Sequence, residues 1–402
     1  MARLTTLIPL SLLAISSFAA PALAQGSTAA NRAEAEARDG GNDDWSITPR
    51  GRIQIDIADV GVPGGVTGDG FGTEAEIRRA YLGVDGKLTG GFGFRAEVDL
   101  AGGDVTPTDV YLTYEPSDSL TFTLGHQKPF FGLEEQTSDL FTSMLERAAF
   151  TSAFGFERRV GFSGVYSGDG LVVQAGAFTV NSSDLDDDTG SYGFDARVVL
   201  SPRLGPGFLH VAGSAHLREL SDDAGTVRYR ARPFSHTADT RLIDTGTILA
   251  TGERSFGAEL AYVAGPFHAT AEGHRITALR PGLQNPSFQG GYVEVGMLVT
   301  PGDTTAYKDG VYDRIRPVRP ITEGGIGAIQ VNLRYDRLDL NDGPIIGGQQ
   351  ETLGLGVIWI PVSSARLQAN YGRLWISDAA VLNGAVADYS VNTVGVRAQF
   401  DF

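Results

Sequence analysis

Three arginines that alternate with other residues are the side chains of this sequence best suited to binding anions. Arg228, Arg230 and Arg232 occupy every second position, so in an extended segment all three project to the same side. An Arg guanidinium stays charged and can donate two parallel hydrogen bonds to the oxygens of one anion. Three neighbouring cations are unfavourable unless they face water or an anion. The pattern indicates either an anion pathway or a solvated loop, and by itself leaves both open.

A second candidate for anion binding is the adjacent pair Arg78 and Arg79. Only one of two neighbouring side chains can face a given side of a regular strand. The other must therefore lie at a rim or on a bulge.

The other reactive residue types do not form the arrangements typical of enzymes. The chain has no Cys, which excludes disulfides, thiol catalysis and Cys-ligated zinc. Its six His residues lack the spacing of metal ligands, and none is evidently paired with a Ser nucleophile. We therefore expect no catalytic site, no metal and no cofactor.

The composition narrows the class of protein further. Among 402 residues, 48 are acidic and 32 basic, and the formal net charge of −16 argues against a nucleic-acid partner. Gly accounts for 53 residues, nearly twice the usual share of about 7%, without a fixed period. Beyond the N-terminus, no apolar run is long enough for a transmembrane helix. These features favour a chain of strands and turns.

The first 24 residues have the three parts of a secretory signal peptide. Arg3 supplies a positive charge, residues 7–20 an apolar stretch, and Ala22-Leu23-Ala24 a small-residue cleavage site. A short membrane anchor is the alternative, but the apolar run is too short to span a bilayer. We predict a signal peptide at 1–24, a flexible leader at 25–45 and an exported domain at 46–402.

From residue 46 onward, apolar and polar residues alternate with period two, which is typical of strands with one apolar face. In the last nine residues, every even position from Val394 to Phe402 is apolar and the odd positions are not. A soluble β-sandwich would also alternate, so the number and spacing of strands must decide. We predict sixteen strands, at 51–59, 77–88, 91–101, 108–116, 119–128, 158–167, 170–180, 191–201, 207–219, 254–264, 266–277, 290–300, 325–338, 350–361, 364–376 and 389–402.

The connections between these strands alternate in length, which is the signature of an outer-membrane barrel with short turns on one side and long loops on the other. We therefore predict an all-β fold, a 16-stranded antiparallel transmembrane β-barrel with a loop folded into the lumen. The connection at 301–324 is long where a short turn is due. We expect the interface aromatics to include Tyr81, Tyr111, Tyr114, Trp359 and Trp375.

Three segments, in order along the chain, carry a family resemblance. They are Glu76-Ile-Arg-Arg-Ala-Tyr-Leu-Gly-Val-Asp-Gly, Leu124-Gly-His-Gln-Lys-Pro-Phe-Phe-Gly-Leu and Arg316-Pro-Val-Arg-Pro-Ile-Thr-Glu-Gly-Gly. The sequence resembles the phosphate-selective porins O and P from about residue 46 to Phe402. The resemblance implies a homotrimeric porin with an arginine-lined pore, inserted by the barrel-assembly machinery through the C-terminal Phe402.

The third outer connection, 129–157, is the candidate constriction loop. The resemblance implies that a Lys, a pair of Ser and an Arg in this loop bind the anion. Here Glu135 stands at the Lys position, Ser138-Asp139 replaces the Ser pair, and Arg147 is kept. Each carboxylate would repel phosphate by an amount on the order of 1 kcal/mol or more. The pore-lining candidates are thus Arg78, Arg79, Ser138, Arg147, Arg228, Arg230 and Arg232.

The sequence leaves several functions open. The first is a passive diffusion channel for small anions, with phosphate or polyphosphate as the solute that the resemblance implies. The second is a general or cation-tolerant porin that has lost the phosphate filter through Glu135 and Asp139. An outer-membrane barrel enzyme would need a Ser-His or acid-His constellation, which the sequence lacks. The expected partners are outer-membrane lipid and lipopolysaccharide of a Gram-negative cell, the assembly machinery, further copies of the chain, and small anions.

Overall fold

The structure is a computed structural model that describes residues 45–155, 157–188, 190–222 and 225–402. The predicted signal peptide, and the leader up to residue 44, lie outside the described residues. Trp45–Phe402 form one compact unit.

Sixteen long strands, labelled β1 to β16, confirm the predicted architecture. Each pairs antiparallel with the next along the chain, and β16 returns to β1 with Arg52 opposite Asp401 and Gly61 opposite Asn392. The sheet is therefore a closed barrel without edges, which lets every strand find backbone partners within a membrane. The strands are β1 Ser46–Gly61, β2 Gly72–Lys87, β3 Phe92–Asp99, β4 Thr106–Ser117, β5 Leu120–Gln127, β6 Arg159–Gly168, β7 Leu171–Phe178, β8 Tyr192–Leu200, β9 Gly207–Glu219, β10 Gly252–Ala264, β11 Phe267–Leu279, β12 Ser287–Leu298, β13 Ala328–Asp342, β14 Ile345–Val362, β15 Ala365–Ser377 and β16 Tyr389–Asp401.

The period-two alternation sorts each strand into an outer apolar face and an inner polar face. On β16, Val396 and Phe400 are 47% and 48% exposed on the outside, whereas Arg397 is 1% exposed on the inside. An apolar outer wall suits lipid, and the polar inner wall suits a lumen.

Three of the five aromatics expected at the membrane interface lie on the outer face, namely Tyr114, Trp359 and Trp375. The other two were predicted wrongly. Tyr81 is buried inside, where the Arg52 guanidinium lies 4.6 Å from its ring centroid, and Arg95 lies 5.6 Å from that of Tyr111. In both strands, side chains alternate between the outer and the inner face, and these two tyrosines occupy inner positions beside lumen-facing arginines.

An apolar core fills part of the barrel interior. The connections 128–158 and 220–251 both fold inward and pack against the inner faces of β11 to β16. The first carries two short helices, α1 Leu133–Gln136 and α2 Ala149–Phe154. Among the described residues, no helix is long and apolar enough to cross a membrane. Core members include Phe131, Met144, Phe150, Phe234, Leu242, Ile243, Phe288, Leu338, Leu374 and Val391.

Some charged side chains on β2 and β3 remain partly exposed. On β2 and β3, the side chains of Asp85 and Arg95 are 42% and 27% exposed, whereas Arg334 on β13 is 3% exposed. At these positions the inner face of β2 and β3 is therefore less completely covered than that of β13.

The long connection between β12 and β13 also folds inward, which accounts for its exceptional length. It forms a small hairpin in which Tyr307–Lys308 pairs with Val311–Tyr312. Asp309 and Gly310 turn the chain with φ of +49° and +81°, and a two-residue Asp-Gly turn with both φ positive is favoured in hairpins.

Candidate functional site

Five arginines and four carboxylates form one continuous network of ion pairs on the lumen side, here called the arginine–carboxylate chain. Each carboxylate in it lies between two arginines, so that the charges alternate. The network has one more positive than negative charge. Its members, in order of contact, are Arg158, Asp109, Arg95, Asp85, Arg50, Glu97, Arg52, Asp139 and Arg79.

The contacts around Asp85 illustrate this geometry. Its carboxylate accepts hydrogen bonds from Arg95 Nε at 2.6 Å and from Arg50 Nη1 at 3.1 Å. Arg50 then continues to Glu97 at 2.9 Å. A guanidinium has five N–H donors, so one arginine can contact two carboxylates of the network.

A second group of charges lies within the inward-folded loop and is here called the Lys–Glu–Arg triad. The Glu135 carboxylate contacts Lys128 Nζ at 3.0 Å and Arg147 Nη1 at 3.0 Å. Arg147 also donates to the carbonyl oxygens of Glu134 at 3.2 Å and Thr137 at 3.1 Å, which fixes it against α1. The triad carries one excess positive charge.

The environment of the triad shifts two pKa values. Burial alone raises the pKa of the Glu135 carboxyl, but the charges of Arg147 and Lys128 more than offset this and hold the pKa below its usual value. Burial lowers the pKa of Lys128 to about 8, and the opposing attraction of Glu135 only partly compensates. The Lys128 ammonium therefore loses its proton at a lower pH than an ordinary lysine does.

The adjacent pair Arg78 and Arg79 is accommodated by a bulge in β2. In the β1–β2 register, Gln54 faces Arg79 and Ile55 faces Ile77, so Arg78 has no opposite residue. Both side chains can then reach the inward-folded loop. Arg79 contacts Asp139 at 2.6 Å, and Arg78 contacts Glu146 at 3.5 Å.

The loop residues Glu135 and Asp139 are not the isolated carboxylates that the sequence suggested. Glu135 is compensated by two cations of the triad, and Asp139 lies between Arg52 and Arg79. Ser138 supports the loop by accepting a hydrogen bond from the Leu140 amide at 3.3 Å. The repulsion of phosphate expected from each bare carboxylate is thus reduced by its own counter-ions.

The alternating arginines lie in the inward-folded 220–251 connection. Tyr229 and Ala231 are buried in the core, while Arg228 and Arg230 point the other way and are exposed. Arg228 pairs with Asp244, its Nε at 2.8 Å from Oδ1. Arg232 Nη1 donates to the Ala238 carbonyl at 2.6 Å.

Arg230 differs from both of its neighbours. Among the residues that the structure describes, its side chain has neither an ion-pair nor a hydrogen-bond partner. Of the three arginines, it alone is exposed without a counter-ion.

Sequence reasoning missed most of the arginine–carboxylate chain. The missed members are Arg50, Arg52, Asp85, Arg95, Glu97, Asp109 and Arg158, together with Lys128 of the triad. A signal existed on β1 and β3, where Arg50 and Arg52, and likewise Arg95 and Glu97, occupy alternate positions on the polar face. Nothing local in the sequence indicates which cation meets which carboxylate.

Two buried histidines illustrate the pairing of imidazoles with carboxylates on the inner wall. His210 Nε2 lies 3.0 Å from Glu259, and His268 Nε2 lies 3.1 Å from Glu294. Within the described ranges, no cluster of three or more metal-ligating side chains could hold a metal ion.

Comparison with known proteins relates this chain to porins. The family described as "Phosphate-selective porin O and P" matches residues 47–402. An uncharacterized protein of Caulobacter vibrioides is 42% identical over 89% of this chain and 74% of its own length. Porin O of Pseudomonas aeruginosa is 24% identical over 82% of each chain.

Solved structures show the same fold at low sequence identity. The trimer form of OmpT, an outer membrane protein of Vibrio cholerae, has a TM-score of 0.59 at 13% identity, covering 89% of this chain and 99% of that one. An anion-selective porin of Comamonas acidovorans has a TM-score of 0.56 at 14% identity, covering 89% and 100%.

Proposed function

The chain belongs to the phosphate-selective porin O and P family, and we propose that its pore passes small anions by diffusion without a dedicated phosphate-binding site. It is an outer-membrane porin and not an enzyme. The finer proposal concerns the sign and the strength of its selectivity.

The observation that carries this proposal is the excess of positive charge in the two ion-pair groups on the lumen side. The arginine–carboxylate chain and the Lys–Glu–Arg triad together contain seven cations and five carboxylates. Rings of Arg and Lys favour anions by replacing part of their hydration shell. An excess of two charges favours anions only mildly, since a potential of about 1 kT enriches them a few-fold.

The carboxylates also explain why phosphate need not bind tightly. Glu135 and Asp139 already contact the cations that a phosphate would use. A group tethered in place competes with a free ligand at an effective concentration of the order of millimolar or above. A phosphate that enters must therefore displace a built-in carboxylate or share its cation.

A general, cation-tolerant porin remains the second candidate because of Asp85. Its side chain is 42% exposed on the lumen side, more than any other carboxylate of the arginine–carboxylate chain. An exposed carboxylate lowers the local barrier for cations.

Reversal potentials in a planar bilayer with a KCl gradient test the proposal. We expect a modest preference for chloride, and we expect phosphate to block chloride current only at millimolar concentration or above. A preference for potassium would establish the cation-tolerant porin instead. Saturable block by micromolar phosphate would show a dedicated phosphate site and contradict the proposal.

We also propose the assembly expected from the sequence: cleavage after Ala24, insertion through recognition of Phe402, and a homotrimer surrounded by lipid and lipopolysaccharide. Family membership supports this proposal, and the OmpT relative of the same fold has a trimer form. Mass spectrometry of the mature N-terminus and heat-modifiable mobility on a gel would test it.

A further inference from the structure

The hairpin between β12 and β13, here called the inner hairpin and comprising residues 305–315, touches both the barrel wall and the inward-folded loop. It starts beside the tight turn between β10 and β11, where the Thr305 amide donates to the Gly265 carbonyl at 2.8 Å. This turn lies on the side of the barrel that carries the short connections. The inner hairpin therefore enters the lumen from that side.

The tip of the inner hairpin is fixed to the wall by a buried arginine. Arg197 Nη2 donates to the Gly310 carbonyl at 2.9 Å, and Arg197 is itself held by two hydrogen bonds to Glu259 at 2.8 and 2.7 Å. The Tyr307 hydroxyl lies 2.6 Å from His210 Nδ1. Charge-assisted bonds in a buried site are strong and keep their geometry, so the tip is a firm anchor.

The other end of the inner hairpin supports the inward-folded loop. The Tyr312 amide donates to Thr137 Oγ1 at 3.3 Å. The Arg314 guanidinium lies 5.0 Å from the ring centroid of Phe141, and it forms an ion pair with Asp401 on β16.

The contacts to Thr137 and Phe141 lie two residues before and two residues after Asp139 in the chain. Asp139 links Arg52 and Arg79 in the arginine–carboxylate chain. The barrel wall also holds this stretch. Arg52 and Arg79 contact the Asp139 carboxylate, and the Gln399 side-chain amide (Nε2) donates to the Leu140 carbonyl at 3.1 Å. The inner hairpin adds contacts to the side chains of Thr137 and Phe141.

We infer that the inner hairpin is a strut that positions the pore constriction, with Tyr312 and Arg314 as the positioning residues that keep Asp139 between Arg52 and Arg79. If either contact is lost, the stretch 137–141 gains freedom and Asp139 leaves its arginines part of the time. The channel then alternates between conformations that conduct differently. The inference rests on the channel function alone and not on the proposed anion preference.

Arg314→Ala and Arg316→Ala form a matched pair for testing this inference. Arg316 lies two residues further along, is exposed, and within the described part of the chain has no ion-pair partner. We expect Arg314→Ala to raise the variance of the open-channel current roughly twofold or more, and Arg316→Ala to leave it unchanged. Equal variance in wild type and both variants would overturn the inference. Thr137→Val, which removes only the bond to the Tyr312 amide, should raise the variance less than Arg314→Ala does.

A disulfide distinguishes positioning from a general loss of stability. The chain has no Cys, so Thr137→Cys with Tyr312→Cys introduces a single pair, at positions where the Thr137 hydroxyl lies 3.3 Å from the Tyr312 amide nitrogen. In the Arg314→Ala background, oxidation should return the current variance to the wild-type level, and reduction should raise it again. Persistent noise after confirmed cross-linking would contradict the inference.

The test remains decisive in two situations: when Arg314→Ala does not assemble, and when the pore prefers cations. If Arg314→Ala fails to yield a heat-modifiable barrel, Thr137→Val provides the comparison in an otherwise intact protein, and wild-type variance in it would overturn the inference. The test measures the variance of the open-channel current and not the ion preference. Its result therefore remains valid if the reversal potentials reveal a preference for cations.

Discussion

Glu135 and Arg147 form an ion pair at 3.0 Å inside the inward-folded loop between β5 and β6. Both belong to the stretch whose sequence suggested the anion site, and Lys128 completes the group on the other carboxylate oxygen. A carboxylate that would repel anions if it stood alone is here the counter-ion of two cations. If the triad faces the permeating ion, as proposed, the selectivity depends on how much of the charge of Lys128 and Arg147 Glu135 cancels.

Removing the charge of Glu135 should strengthen anion binding. Glu135→Gln leaves Lys128 and Arg147 without their counter-ion. At an effective dielectric near 20 and at 6–8 Å, a unit charge contributes roughly 2–3 kcal/mol before water and salt reduce it severalfold. We expect phosphate to block chloride current at a concentration about tenfold lower. Glu135→Lys, which changes the charge by two, should go further in the same direction.

Phosphate titration of the chloride conductance measures this effect. Glu323→Gln, at an exposed position in the β12–β13 connection, removes the same charge away from the triad and should leave the half-blocking concentration unchanged. The same half-block in Glu135→Gln and wild type would show that the triad does not face the permeating anion.

The anion preference should fall as the pH rises through about 8. The pKa of Lys128, lowered by burial, is about 8, so its ammonium is charged below that pH and neutral above it. The pKa of Glu135 lies below its usual value, so its carboxylate stays charged throughout. Above pH 8, the triad therefore loses its excess positive charge.

Reversal potentials measured from pH 6.5 to 9.5 would follow this titration. Lys128→Arg keeps a permanent charge at the same position, and its chloride preference should be independent of pH over that range. A wild-type preference that does not change with pH would contradict the assignment of Lys128 to the pore.

The three alternating arginines should contribute unequally to anion conductance. Arg228 is paired with Asp244, whereas the exposed Arg230 has no counter-ion within the described residues. We expect Arg230→Ala to lower the chloride-to-potassium permeability ratio at low ionic strength, where screening is weak, and Arg228→Ala to lower it less. If the triple Ala variant at 228, 230 and 232 keeps the wild-type ratio, these residues belong to a solvated loop face.

Deleting Phe402 should impair barrel assembly. The Phe402 amide donates to the Gly51 carbonyl at 3.0 Å, and the Gly51 amide donates to the Phe402 carbonyl at 3.1 Å, so the last residue extends the seam between β16 and β1. The deletion should lower the yield of heat-modifiable protein in the outer membrane, whereas Phe402→Tyr, which keeps the ring and the backbone, should assemble normally. Insertion of the deletion variant at the wild-type level and rate would refute this role.

The sequence by itself determined the barrel. The alternation from Val394 to Phe402 reflects a requirement of the strand itself, because one face must be apolar wherever it meets lipid. The bulge at Arg78 could also be anticipated, since two adjacent arginines cannot share one face of a regular strand. Such constraints involve residues that are close together in the chain, and they can therefore be predicted from the sequence.

The electrostatics of the pore were decided only by the tertiary structure. Arg52 and Asp139 are 87 residues apart, and their contact exists because a loop folds back onto the wall near the start of the barrel. Tyr81 is a residue type that is common at membrane interfaces. Its place in the in–out alternation of β2 nevertheless puts it inside the barrel, beneath the Arg52 guanidinium. The sequence gives no reason for the length of the connection 301–324. In the structure, its hairpin reaches into the barrel and contacts Arg197 on β8. Ion pairs have no sequence period, so which carboxylate compensates which arginine follows from how the loops fill the closed barrel.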